Sequence, residues 1–346
     1  MIGKRIEYID ALRGFTMFLV VYSHIWTYGY HVDERNGFVN VLTNFFLIVF
    51  FFISGYVAYK SNSKWSFGSV CKLLKSKFVQ LMIPSVVFFI LLCNYFQYGM
   101  KTLPLLFRGL FRGEYWFTSN LFLFFIFYYL TKLLIRKVSG GVNASLLLLI
   151  IAFGVFCLSF SHTLIERTQF GSDLFHYSGM KNWRYYFFFI LGVVTRMNKD
   201  SLKRYIDNTY VMAVFIVLFF LLVFFNSKIT FTLWQPIGMI VYGVISIVVL
   251  FGFFRKYERS NLMSGFFGKN LKYIGQRTMD VYMIHYFLLP LNLNFLGAFF
   301  VNNVNPSIEF LCTTMITLLV IGLSLIIGNV IRISPSLAHY LLGAKH

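Results

Sequence analysis

Three residues near the start of the chain, Asp10, Arg13 and His24, stand in a run that is otherwise mostly apolar. Ionisable groups are costly in such surroundings, so they mark a place to look for chemistry. On a helix, eleven steps of 100° bring His24 to within about 20° of Arg13, so the two share a face about 16 Å apart along the axis. Asp10 precedes Arg13 by three residues, an offset at which carboxylate and guanidinium can pair and lower the cost of burying both. A plain anchoring pair at the headgroup level accounts for Asp10 and Arg13 on their own. For His24, which follows Phe18-Leu19-Val20-Val21-Tyr22-Ser23, two readings weigh equally. It is a base, nucleophile or proton relay, or it is a hydrogen bonder to a neighbouring helix.

A second cluster holds Arg277, Asp280 and His285. Arg277 and Asp280 are again three apart and can pair. Five steps from Asp280 to His285 turn the imidazole by about 140°, so it faces elsewhere, and helix–helix hydrogen bonding suits it at least as well as catalysis. Glu114 and Trp116 suit interfacial anchors, the usual role of Trp at the membrane edge. Cys71, Cys93, Cys157 and Cys312 form no CxxC pair and have no partners at metal-ligand spacing, so neither disulfides nor a metal site is expected.

The elements that carry these residues must be membrane helices. The 346 residues are 58% hydrophobic and only 12% charged, too apolar for a water-soluble domain. Segments long enough to cross a hydrocarbon core fall at 8–29, 40–59, 79–98, 115–134, 143–161, 183–197, 208–226, 234–254, 274–298 and 308–331. The expected fold is therefore all-α: a polytopic integral membrane protein of about ten transmembrane helices. It is expected to form a single transmembrane domain over 1–346 with no appended soluble domain. Asp10 and Arg13 interrupt the first apolar stretch, which reads as a retained helix rather than a cleaved leader.

The formal charge of +19 would suggest a nucleic-acid partner in a soluble protein, but the placement of the basic residues explains it otherwise. With both termini cytoplasmic, the inner loops and ends hold about 22 of the Lys and Arg residues and the outer loops about 8, the asymmetry of the positive-inside rule. Membrane lipid is thus the expected surround, and no nucleic acid.

Further motifs fall in a definite order. Asp10-x-x-Arg13-Gly14 with His24 is followed by Phe50-Phe51-Phe52-Ile53-Ser54-Gly55-Tyr56, Pro84 and Trp116-Phe117. Ile274-Gly275-Gln276-Arg277 and Tyr282-Met283-Ile284-His285 complete the series. Over about residues 5–290 this resembles acyltransferase family 3, whose members include O-acetyltransferases of bacterial surface polysaccharides. Its first helix carries a basic residue, ten intervening residues and a histidine, as Arg13 and His24 do.

The resemblance implies transfer of an acyl group, acetyl foremost, to a hydroxyl of a cell-surface or lipid-linked glycan. The donor would be a cytoplasmic acyl-CoA acting as substrate, with no bound cofactor, and the enzyme would sit in the bacterial inner membrane. His24 would be the catalytic base or the acyl carrier. Arg13 would hold the phosphate-bearing end of the donor, with Lys77 as a second contact. Asp10, Glu114, Trp116, Arg277 and His285 would support the site. The family commonly has two arginines three apart before the proline of its third helix, where this chain has Lys77 and Gln80. A glutamine cannot replace a guanidinium at a phosphate. The rival reading is a non-catalytic transporter or flippase of a lipid-linked or amphiphilic substrate, using the same stripe as a path. For the acceptor, the outer loops offer Arg108, Arg112, Glu166 and Asp173.

Overall fold

The computed structural model describes residues 5–31, 37–60, 65–96, 109–111, 113–138, 143–160, 179–226, 234–303 and 305–344. All regular secondary structure among them is helical. Arg108, Arg112, Glu166 and Asp173 lie outside the described residues. The chain falls into two compact units, one of residues 1–50 and 202–330, the other of residues 51–201 and 331–346.

The first unit contains α1 (Glu7–His24), the greater part of α2 (Gly37–Ala58), and the helices from the end of α8 onward. The second contains the end of α2, then α3 (Phe67–Lys77), α4 (Ile83–Tyr95), α5 (Trp116–Val138), α6 (Ala144–Phe160), α7 (Tyr186–Met197) and the start of α8 (Lys199–Ile206). Continuing the first unit are α9 (Thr209–Asn226), α10 (Trp234–Lys256), the single turn α11 (Asn261–Ser264), α12 (Phe266–Gln276), α13 (Thr278–Ile284), α14 (Asn294–Asn302) and α15 (Pro306–Ile331). The closing helix α16 (Pro335–Leu342) belongs to the second.

Within the first unit, α1 and α12 cross with their backbones in contact. A Cβ on Gly14 would lie 2.0 Å from the Leu271 carbonyl oxygen, and one on Gly275 would lie 1.7 Å from that of Asp10. Only glycine on both sides permits this approach, the small-residue packing by which membrane helices gain dispersion contacts in place of a hydrophobic driving force. Lys272 Nζ on α12 also meets the Glu7 carboxylate at 2.9 Å. The second unit repeats the device where α2 ends, with Gly55 against the Phe189 carbonyl and Gly192 against that of Phe52. Around that crossing, Phe51, Phe124, Tyr186 and Phe189 form an aromatic core.

Among the described residues, four helical stretches are long and apolar enough to cross a membrane: Phe67–Tyr95, Trp116–Ile135, Pro236–Lys256 and Pro306–Ile331. The bent pair Lys199–Ile206 and Thr209–Leu222 makes a fifth if it is one span. Of the other expected spans, 40–59 coincides with the 22-residue α2, 8–29 carries Asp10 and Arg13, 143–161 and 183–197 give helices of 17 and 12 residues, and 274–298 is broken. Residues 60–78, expected as a loop, contain α3, because Ser66 and Ser69 exchange side-chain and backbone hydrogen bonds at its start and so satisfy amides a helix end leaves bare. The helix then runs through a π-helical turn, Phe78–Met82, into α4. Pro84 there lacks the N–H that would reach back to Gln80, and the backbone around Gln80 instead packs on Gly343, which ends α16 at φ +60°.

The expected span 274–298 is not one helix. It breaks at Arg277, where φ is −115° and ψ 20°, and again after α13, which tightens into a 3-10 turn at His285–Phe287 ahead of Pro290. Likewise 183–197 begins with a 3-10 turn, Met180–Tyr185, and leaves α7 only 12 residues long.

Candidate active site

The structure brings His24 and His285, 261 residues apart in the chain, into direct contact within the first unit. His24 is the last residue of α1, and a π-helical turn, Ile25–Gly29, follows it at once. Such turns inside α-helices gather at functional sites, where the extra residue re-aims side chains. His285 stands where α13 gives way to the 3-10 turn. The glycine crossing fixes α12 against α1, and the chain leaving α12 therefore carries α13 along the same helix to the level of His24.

His24 Nδ1 lies 2.8 Å from His285 Nε2, a hydrogen-bond separation. The rings are within 12° of parallel and their centroids 5.1 Å apart. That is the nitrogen separation plus two ring radii, so they meet end to end rather than face to face. His285 is fully buried, and its Nδ1 donates to the Val281 carbonyl at 2.9 Å, the same carbonyl that accepts the His285 backbone N–H. His24 is half-buried. Tyr28 stands edge-on to the His24 ring at 5.6 Å and Tyr286 tilts over it at 5.1 Å. The result is a partly open imidazole walled by aromatic rings and backed by a second, closed one.

At the other end of α1, the expected pairing of Asp10 with Arg13 gives way to another. Asp10 is buried, faces α12, and pairs with Arg5 Nε at 2.7 Å while accepting from Gln276 Nε2 at 3.5 Å. A three-residue offset places two side chains on neighbouring surface but leaves their rotamers to the packing, and here the packing turns the carboxylate towards α12. Among the described residues, the half-buried Arg13 guanidinium makes no ion pair and no side-chain hydrogen bond. Arg277 and Asp280 do pair, at 3.4 Å, with Asp280 buried against Gly328.

Lys77, Glu114 and Trp116 belong to the second unit. Lys77 Nζ lies 4.6 Å from the centre of the Phe125 ring and 3.5 Å from Gln80 Oε1, and Gln80 in turn donates to Ser76 Oγ. The position where the family carries a second arginine is thus a hydrogen-bond partner of Lys77. Trp116 opens α5 half-buried beside Phe51 and Tyr185, and Glu114 is half-buried in the turn before it. The neighbours of His24 at Tyr28 and Tyr286 and the partners of Asp10 at Arg5 and Gln276 were not singled out from sequence. Tyr28 had a readable signal, since it lies one helical turn beyond His24. Among the described residues, no group of three or more His, Cys, Asp or Glu side chains is placed to hold a metal ion.

A family model described as an acyltransferase domain matches residues 6–326. The chain belongs to acyltransferase family 3. The match takes in His24, His285, Asp10, Arg13, Lys77, Glu114, Trp116 and Arg277. Family membership makes the protein an acyltransferase, and with its apolar helices a multi-pass membrane protein. No curated protein and no solved structure matches the chain.

Proposed function

We propose that this acyltransferase moves an acyl group, acetyl foremost, from a cytoplasmic acyl-CoA to a hydroxyl of a cell-surface or lipid-linked glycan. It does so in the bacterial inner membrane, with both termini on the cytoplasmic side. The observation that carries the reading is the half-buried His24 imidazole, hydrogen-bonded to His285, on the helix that also presents Arg13, whose guanidinium makes no ion pair among the described residues.

A sugar hydroxyl is a poor nucleophile and must lose its proton as it attacks the thioester carbonyl. His24 takes that proton as the oxygen–carbon bond forms. When the carbon–sulfur bond breaks, His24 returns the proton to the departing CoA thiolate, so the base is restored and charge balances. If His24 instead carries the acyl group, its ring nitrogen attacks the thioester carbonyl as the carbon–sulfur bond breaks and CoA leaves as thiolate; the hydroxyl oxygen then takes the acyl group from the ring, and its proton goes to the thiolate. The Tyr28 and Tyr286 rings limit water at the imidazole, which protects the thioester from hydrolysis. Arg13, about 16 Å away along α1, suits the phosphate-bearing end of the donor, and its planar fork of donors matches phosphate oxygens.

The test is the base-labile O-acyl content of envelope glycans in cells expressing the wild type or His24→Ala at equal membrane levels. Ester above background in the wild type alone supports the reading. If neither strain exceeds cells lacking the protein, glycan acylation is wrong and the acyl group goes to another acceptor.

A further inference from the structure

We infer that His285 is a positioning residue that locks His24 into the tautomer whose Nε2 carries the reactive lone pair. The inference rests on the transferase reading for its consequence and on hydrogen-bond geometry alone for its substance.

A carbonyl oxygen has no proton to give, so the His285 nitrogen facing Val281 must be the one that bears hydrogen. In a neutral imidazole only one nitrogen is protonated. His285 Nε2 is therefore an acceptor, and the proton in the 2.8 Å contact belongs to His24 Nδ1. With Nδ1 protonated, His24 Nε2 is the unprotonated atom. The order Val281 carbonyl, His285, His24 is thus a one-way chain of donors whose polarity is set by the backbone. The lone pair on His24 Nε2 is the one that would remove the acceptor hydroxyl's proton or take the acyl group.

The same chain acts when His24 gains a proton on Nε2. The resulting imidazolium still donates from Nδ1 to His285 Nε2, which stabilises the charge. Burial of His285 keeps water from competing for either nitrogen, and its position at the α13 terminus lets the i−4 carbonyl serve both its backbone N–H and its ring. Metal bridging does not fit the spacing, since two nitrogens on one zinc ion at 2.0–2.1 Å each would stand roughly 3.3 Å apart in a tetrahedral site.

Two measurements test this. Nitrogen-15 NMR of histidine-labelled wild type in lipid nanodiscs, with the His24 signal assigned by comparison with His24→Gln, reads the tautomer directly at a pH where the ring is neutral. The expected result is His24 protonated at Nδ1, and protonation at Nε2 overturns the inference. Second, ester accumulation in envelope glycans is followed in His285→Leu and His285→Gln at matched membrane levels. Glutamine places an amide oxygen near the position of the lost Nε2 and can accept from His24, whereas leucine cannot. The expected loss is about 100-fold or more for leucine, the scale of general-base catalysis, and no more than about tenfold for glutamine. Equal rates in leucine and wild type, or equal loss in folded leucine and glutamine variants, overturn the inference. The tautomer is read without turnover. A wild type lacking acyl transfer but protonated at Nδ1 sinks the transferase reading alone, and an active wild type protonated at Nε2 sinks this inference alone.

Discussion

Arg13 and His24 are held in different ways. His24 is fixed through its ring nitrogen, while the Arg13 guanidinium, half-buried on the same helix, has no protein partner among the described residues. A guanidinium kept in that state is available to an anionic ligand, and a hydrogen bond to a charged group contributes about 1.5–3 kcal/mol. Arg13→Ala should therefore weaken acetyl-CoA binding by about 10- to 100-fold, with Arg13→Lys in between because ammonium keeps the charge but not the fork. Equilibrium binding to purified protein in nanodiscs measures this, and wild-type affinity in Arg13→Ala would remove Arg13 from the donor site. The spacing of Arg13 and His24 was legible because helix geometry is local. The true partner of Asp10 was not legible, because Arg5 and Gln276 reach the carboxylate only once α12 is packed on α1. The role of His285 was half legible: its place in an apolar run marked it, but no sequence periodicity links it to a residue 261 positions away.

At the scale of elements, the site depends on one crossing. The backbones of α1 and α12 touch at Gly14 and Gly275, and α13 with His285 continues from α12. A methyl group at either glycine meets a carbonyl oxygen at 2.0 Å or less, and backbone cannot step aside as a flexible side chain does. Overpacking of this kind costs about 1–3 kcal/mol, occasionally more. Gly14→Ala and Gly275→Ala should each lower the melting temperature in detergent and reduce acyl transfer by separating His285 from His24. Gly322→Ala on α15 is the control, since a Cβ there meets nothing within 4 Å. If all three variants melt with the wild type, the crossing is not under the constraint described. Helical character was readable from hydropathy almost everywhere, but the breaks were not. The π-helical turn after His24 and the interruption at Arg277 occur in sequence with no proline at the break, and tertiary contacts set them. Conversely, α3 was hidden within an expected loop because its three lysines, Lys72, Lys75 and Lys77, lower its hydropathy without disturbing its helix.

For the whole molecule the proposed function turns on orientation, because under it a cytoplasmic donor and an outward acceptor approach from opposite sides. The uneven distribution of Lys and Arg argues that α3, with its lysines, lies on the cytoplasmic side. The protein carries its own reporter for this: Cys71 is exposed on α3, whereas Cys157, also exposed, lies in α6, which carries no charged residue. An impermeant maleimide stays in water and does not reach a thiol within hydrocarbon. A membrane-impermeant maleimide should label inverted vesicles and spare right-side-out ones, and Cys71→Ser should abolish the signal while Cys157→Ser leaves it. Cys71 labelling from the outside would place α3, and with it the basic loops, on the wrong face. The proposed cytoplasmic donor would then lose the support of the basic-residue asymmetry, even with the His24–His285 contact intact.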